Sequence, residues 1–358
     1  MPYPRSATVL RKWNAARDND PALTTEQMAM RLGMTHRVFM AKIKEAQHDI
    51  DRRIKPVQAG AVTTIRMDAL EDGWQQWILL QSDNHHDAVN SNRGLEQEHL
   101  DRAIERQAIV MMFGDILDAM QGKFDPRRSM DELRPEYRHN DYYGFVVRDC
   151  AAWYGRYAGL IAIMADGNHE AAVVKNASID LLSMLVHALN IQGGNVIHGG
   201  YGGWVHLVFN LGNDQVVRKI KYFHGSGGEA PVTRGAIQTN RQAVYLPDAD
   251  FVVNGHSHNH YHIAICRERL TNDGVHAMDL QHHIRIPGYQ QSYGDGTGGW
   301  EVSRGGVPKP IGAMWLLFER VKGKIEASVM SDVRPPDVVG VDDGVYTGRV
   351  YAQDGEGQ

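Results

Sequence analysis

Cysteine is nearly absent from this chain: Cys150 and Cys266 are the only two among 358 residues. They lie far apart and outside any Cys-x-x-Cys spacing, so neither a disulfide framework nor a thiolate zinc site is indicated, and a reducing cytoplasm is the simplest setting. Long apolar runs are missing too. Met1-Pro2-Tyr3-Pro4-Arg5 is followed by no apolar signal core, and no later run approaches the roughly 18 uninterrupted apolar residues of a membrane span. Neither secretion nor a membrane partner is therefore expected. A dominant charge is also lacking, since the net charge is −5 and the pI is near 6.4, which gives no global reason to bind a polyanion. The distribution is less neutral: residues 1–55 carry 11 Lys or Arg against 6 Asp or Glu, and the remainder 27 against 37. A basic appendage of about +5 is thus joined to an acidic body of about −10. No internal repeat is visible.

What is present is 40.1 kDa of chain with 42% hydrophobic and 23% charged residues, enough for one large domain and a small one. Residues 8–50 read as helical. Val9, Leu10, Trp13 and Ala16 share one face of a first helix. Thr24 and Gln27 have capping-box spacing at the start of a second helix, whose buried side is Met28, Ala29 and Leu32. Gly33 permits the left-handed turn that ends it, and Thr35 can cap a third helix with Val38 and Ile43 inward. Helix, glycine turn and helix in this register resemble a helix-turn-helix DNA-binding unit, with His36, Arg37, Lys42 and Lys44 toward the exposed side. The alternative is a three-helix module that only packs on the body or on another protein.

Pro56 and the stretch through Gly60 break helical periodicity, so residues 56–72 are expected to be a linker, 73–334 the main domain and 335–358 a partly ordered tail. In the main domain, strand-like runs alternate with amphipathic helical ones. The strands are Trp77 to Gln81, Ile109 to Phe113, Leu160 to Met164, Val216 to Phe223 and Phe251 to Asn254; the helices are Leu95 to Gln107, Tyr142 to Tyr157 and Ile179 to Leu189. That alternation predicts an α/β layered core. Richness in β-type runs from Val196 to Arg269 predicts a second sheet, and Gly288 to Pro310 reads as a long loop.

Five polar blocks each follow one of these apolar runs: Asp83-Asn84-His85, Gly114-Asp115 with Asp118, Gly167-Asn168-His169-Glu170, His224-Gly225, and Gly255-His256-Ser257-His258. Singly most are weak signals, because an Asp or Asn after a strand is usually a turn residue. Together they would bring carboxylate, amide and imidazole donors to the place where strand ends meet. Gly255-His256-Ser257-His258 is the most specific, since it sets two imidazoles at adjacent stations of an ion pair.

In content and order these blocks resemble those of the calcineurin-like metallophosphoesterase superfamily, over roughly residues 74–330. The resemblance implies a four-layer αββα sandwich. It also implies a first metal held by Asp83, His85, Asp115 and His258, with Asp115 bridging to a second held by Asn168, His224 and His256. His169 would be the general acid or a phosphoryl contact, and Asp118 an orienting residue behind it. Nitrogen and oxygen donors without thiolate suit two divalent ions, Mn²⁺ first, with Fe or Zn²⁺ as alternatives.

The sequence departs from the family's Ser/Thr phosphatases at Ala119, where they carry a monoester-clamping Arg after Gly-Asp-x-x-Asp. Lys123, Arg127 and Arg128 follow on a loop able to neutralise a phosphodiester backbone. His260, His262, His282 and His283 read as structural or surface residues. These features favour a phosphodiesterase acting on nucleic acid, DNA foremost, over a phosphatase or phosphodiesterase for small nucleotides. A DNA-binding regulator on an inactive phosphoesterase body is a third reading, opposed by the completeness of the ligand set.

Overall fold

The computed structural model describes residues 6–20, 22–53, 55–120, 125, 132–138, 140–227, 233, 235–271, 273–293, 300–303 and 305–336. Its strands are β1 (Val57–Ala59), β2 (Val62–Asp68), β3 (Gln75–Gln81), β4 (Ile109–Phe113), β5 (Ile161–Ala165), β6 (Ile197–His198), β7 (Gly202–Asn210), β8 (Gln215–Phe223), β9 (Phe251–Asn254), β10 (Tyr261–Leu270), β11 (His276–Arg285), β12 (Ile311–Val321) and β13 (Lys324–Arg334). Its helices are α1 (Ser6–Asn19), α2 (Thr25–Arg31), α3 (His36–Arg53), α4 (Arg93–Arg106), α5 (Tyr142–Gly155), α6 (Asn168–Ala177), α7 (Leu181–Ile191), α8 (Ala236–Tyr245) and α9 (Trp300–Ser303).

The strands form a six-stranded sheet, β13-β12-β3-β4-β5-β6, and a seven-stranded sheet, β1-β2-β7-β8-β9-β11-β10. Strand alternation explains how they stack. Ile78 and Leu80 of β3, Ile109, Met111 and Phe113 of β4, and Met314, Leu316 and Phe318 of β12 enter one core with Val205, Leu207, Ile220 and Phe251 of the other sheet. The intervening Leu79, Val110, Met112, Ala313 and Trp315 enter a second core with Leu100, Ile104, Val146, Cys150, Leu182 and Leu185 of the helices. Each fully buried side chain of this size contributes roughly 1.5–3 kcal/mol. Because both faces of β3, β4 and β5 are covered, β4, β5 and residues 77–80 of β3 are continuously apolar rather than alternating. On the far side, α8 is hydrogen-bonded to β10 through Thr239 and Tyr261, and the residue after it, Leu246, to Gln281 of β11. The α/β class and the two stacked sheets agree with the sequence reading.

At the N-terminus, Thr24 and Gln27 form the expected capping box, Gly33 turns at φ +65°, and Thr35 accepts from the Val38 N–H. Val9 and Leu10 of α1, with Phe39 and Ile43 of α3, join the core on the helix side of the six-stranded sheet, and Trp13 meets Phe39 edge to face at 5.5 Å. The three helices therefore share apolar packing with the body.

The expected linker at 56–72 needs correction. It contains β1 and β2, and β2 runs parallel to β7 with Ile65 and Met67 turned into the inter-sheet core. Pro56 and Gly60 do end helical periodicity, but the alternation that follows them is a half-buried strand. The Gly-rich stretch after Gly288 is not wholly loop either, since it holds α9 and a bridge from Gly288 to Gly312. Lys123, Arg127, Arg128 and the tail beyond residue 336 lie outside the described residues. No single described helix is long and apolar enough to cross a membrane.

Candidate metal centre

Polar residues follow the carboxyl ends of five strands, and short backbone bonds hold their loops in register. Beyond β3 and β4, the Asp83 N–H donates to Gly114 O at 2.9 Å and the His85 N–H to Asp115 O at 3.0 Å. Beyond β8 and β9, the Gly255 N–H donates to His224 O at 2.8 Å. Gly114, at φ +98°, has no room for a side chain, because a Cβ there would collide with the His224 imidazole.

Backbone strain is concentrated at the same place. Nine described non-glycine residues have positive φ. Gln107 and Ser178 are helix C-caps and Lys322 sits in the turn between β12 and β13, which leaves Asp83, His85, Asp115, Ala119, His256 and His258. Five of those six are predicted ligands. A left-handed conformation at a non-glycine residue costs on the order of 1–3 kcal/mol and persists only where surrounding structure imposes it.

Three groups of donors result, two of them sharing His85: Asp83, His85 and His258; Asp115, His224 and His256; and His85, Asp118 and His169, each with ligand atoms within 4.8 Å of one another. His258 Nε2 lies 3.3 Å from Asp83 Oδ1, and His224 Nε2 lies 3.0 Å from Asp115 Oδ2. Six of the seven residues that the resemblance implied as ligands fall in the first two groups, with Asp115 in only one of them. Asp115, assigned there as a bridge, uses Oδ1 to accept from the His169 N–H at 2.9 Å and turns Oδ2 toward His224.

The partners of the ring nitrogens fix the tautomers of two of these histidines. His85 Nδ1 meets Asp118 Oδ1 at 2.9 Å and His224 Nδ1 meets Phe113 O at 2.9 Å, so in each ring the Nδ1 proton is donated outward and the Nε2 lone pair faces the centre. His85 Nε2 and Asn168 Oδ1 are buried with no hydrogen-bond partner. An orphaned buried acceptor costs about 1–3 kcal/mol unless something fills its place. Acceptor atoms aimed at one spot, from nitrogen and oxygen donors without sulfur, fit divalent cations.

Electrostatics lead to the same requirement. Burial alone would raise the carboxyls of Asp83 and Asp115, but the facing imidazoles, His258 for Asp83 and His224 for Asp115, hold both below the ordinary range. Burial lowers the His224 imidazole, yet Asp115 outweighs it and pushes His224 up to about 10. The close approach of Asp115 Oδ2 and His224 Nε2, at 3.0 Å, thus favours a positive charge at that spot.

Asp118 holds two histidines rather than one. Its carboxylate bonds His85, while its backbone carbonyl takes His169 Nδ1 at 2.6 Å. The expectation that it stands behind His169 thus captures half of its contacts. Asp118 is itself pinned by Asp87, whose carboxylate accepts the N–H groups of Asp118 at 2.7 Å and Ala119 at 3.1 Å and the hydroxyl of Tyr142. Glu170 accepts the N–H groups of Asp115, Leu117 and Gly167, tying the loop after β4 to the start of α6. Asn84, between the candidate donors Asp83 and His85, donates to buried Glu96 at 2.7 Å.

Asp87 and Glu96 were missed by sequence reasoning, and Glu170 was given no role. Glu170 carried a usable signal as the third residue of a helix beginning at its own motif. The other two act through folded geometry alone.

Other sequence candidates fall elsewhere. His262 meets His282 at 2.9 Å, His283 meets Gln281 and His260 meets Ser331, so these four are outside the metal groups, as expected. On α3, Arg37 and Lys44 are exposed and Lys42 half-buried, while the His36 ring bonds back to Thr25 of α2 at 2.9 Å. Unforeseen was a fourth cluster, away from the centre, of Asp166, Asp180 and His198, in which His198 Nε2 lies 3.0 Å from both Asp166 oxygens.

No family model and no curated protein matches the chain. Among solved structures, it is similar to a conserved uncharacterized protein of Streptococcus pneumoniae TIGR4 described as a predicted phosphoesterase, at 14% identity over 73% of this chain and 94% of that one, with a TM-score of 0.28. It is also similar to Vps29 of Entamoeba histolytica complexed with zinc, at 13% identity over 71% and 98% of the two chains, with a TM-score of 0.28. A third is GAP50 of Plasmodium, at 11% identity over 74% and 90%, with a TM-score of 0.33. Superpositions this loose carry no functional weight, and the reading of the centre rests on its own donors, distances and strained backbone.

Proposed function

We propose that the chain is a dinuclear-metal-dependent phosphodiesterase that hydrolyses phosphodiester bonds in DNA. The observation that carries the reading is the convergence of Asp83, His85 and His258 beside Asp115, His224 and His256, with strained backbone at five of the six. These donors would hold divalent ions, Mn²⁺ foremost and Fe or Zn²⁺ as alternatives, which when bound would polarise a phosphoryl group and lower the pKa of water.

The chain's own residues supply the rest. Asp118 and Phe113 O fix the rings of His85 and His224 by holding their Nδ1 protons. His169 Nδ1–H donates a hydrogen bond to Asp118 O, so Nε2, 3.9 Å from Asp115 Oδ2, is the ring atom left to take up and release a proton. In the imidazolium form that proton goes to the departing alkoxide. By the resemblance, Ala119 stands where the Ser/Thr phosphatases carry a monoester-clamping Arg, which favours diesters. The basic N-terminal helices, with Arg37 and Lys44 exposed, are read as adding affinity for DNA.

The test compares hydrolysis of bis(4-nitrophenyl) phosphate and 4-nitrophenyl phosphate by the Mn²⁺-loaded full chain, alongside cleavage of labelled single- and double-stranded DNA. Chelator-sensitive turnover of the diester and of DNA is expected. Preference for the monoester would favour a small-nucleotide phosphatase, and no turnover by a metal-loaded protein would favour the inactive, DNA-binding reading.

A further inference from the structure

The seven-stranded sheet carries an unexplained feature on its outer face, beyond α8. Ile65, Met67, Val205, Leu207, Ile220 and Tyr222 point into the inter-sheet core, so alternation turns Arg66 of β2, Trp204 and His206 of β7, and Lys219 and Lys221 of β8 the other way. Cross-strand pairing sets Trp204 opposite Lys221 and His206 opposite Lys219. The Lys221 ammonium lies 5.5 Å over the Trp204 ring. Between these strands is a depression of about 260 Å³ walled by Trp204, His206, Lys219 and Asp248.

Among the described residues, Arg66, Lys219 and Lys221 make no ion pair with a carboxylate. Burial, then Lys219 and Arg66, lower the His206 imidazole, as expected where positive charge has gathered. This occurs on a body with a net charge of about −10, so the patch runs against its surroundings. Its strand leads to the metal centre, since β8 ends at Phe223, just before His224. At about 3.3 Å per residue, Lys221 stands roughly 10 Å and Lys219 roughly 17 Å from that ligand.

We propose that this face binds single-stranded DNA, with Arg66, Lys219 and Lys221 neutralising phosphates and Trp204 stacking on a base, and so leads the strand toward the metal centre. Cations interleaved with an aromatic ring suit an unpaired strand, whose bases can leave their own stack, better than a duplex. The inference rests on the reading of the centre as a DNA phosphodiesterase.

The experiment measures fluorescence anisotropy of a labelled oligodeoxythymidylate with the full chain under EDTA, across a salt series, beside Mn²⁺-dependent hydrolysis of bis(4-nitrophenyl) phosphate. The triple variant Arg66→Gln, Lys219→Gln, Lys221→Gln is expected to bind about 10- to 100-fold more weakly. The slope of log affinity against log salt should flatten by about 2, at roughly 0.7 per phosphate lost. Trp204→Ala should weaken binding about 10-fold and Trp204→Phe should largely restore it. All three proteins should hydrolyse the small diester like the wild type, which also reports that they fold.

Unchanged affinity and slope in the triple variant would overturn the proposal, as would tighter binding of a duplex that ignores Trp204. If the wild type fails to hydrolyse the small diester, the phosphodiesterase reading falls instead, and the binding series judges the surface separately.

Discussion

The middles and the ends of the central strands obey opposite rules. In the middle of β3 and β4, Ile78, Leu79, Leu80, Val110 and Met111 are fully buried apolar side chains in ordinary extended backbone. A few residues on, Asp83, His85 and Asp115 are equally buried but polar, left-handed and in part without hydrogen-bond partners. The difference shows how the strain is maintained. A core covered on both faces holds the strand ends rigidly, so the ligand loops cannot relax into unstrained conformations.

The sharpest way to break the contrast is to alter the strand end alone. Asp115→Ala is expected to abolish diester turnover and to lower bound metal, measured by elemental analysis, while far-UV circular dichroism stays unchanged. Retained metal would show that the Asp115 group is not a ligand set. His169→Ala separates proton transfer from metal binding, so metal content should persist while turnover falls about 10² to 10⁴-fold. An empty centre in that variant would move His169 into the ligand set.

The converse experiment alters the strand middle. Leu80→Ala removes a fully buried side chain and should cost about 2–5 kcal/mol in chemical denaturation, with metal stoichiometry intact. Between the two regions lies the support layer. Asp87→Asn or Tyr142→Phe should lower metal affinity or turnover about 10- to 100-fold by loosening Asp118, with little change in unfolding midpoint.

The smallest effect concerns an ion cluster on the helix side. Burial would raise the Asp149 carboxyl, but the nearby His86 imidazole, a hydrogen bond from Tyr137 and the Arg93 guanidinium hold it down at about 2. Its folded pKa lies below the ordinary aspartate value, so its contribution is present above pH 4 and is lost as pH falls toward 2. Asp149→Asn should flatten that part of the acid-unfolding curve and leave the profile above pH 5 alone.

How much of this was legible in sequence depended on whether the signal was local. Phe251 to Asn254 was readable to the residue, and Ile109 to Phe113 likewise, because apolar runs of strand length ended in turn residues. Thr24 and Gln27 announced a helix start because capping is decided within four residues. β2 was hidden behind Pro56 and Gly60, and β12 and β13, at the far edge of the six-stranded sheet, were not separately read, since nothing local says which sheet a late strand will join.

The candidate donors, too, were visible as residue types after strands. Their division into two groups came from a resemblance, and only the fold brings Asp83 and His258, 175 positions apart in the chain, to 3.3 Å. The sequence alone determined which side chains were available as ligands and that they would follow buried strands, because hydrophobic period and turn chemistry are short-range. Tertiary structure decided what no short window contains: the ring nitrogen each histidine presents, the double hold of Asp118, and the closing of Asp87 and Glu170 around the ligand loops. Those depend on hydrogen bonds between segments that meet only after the two sheets have packed.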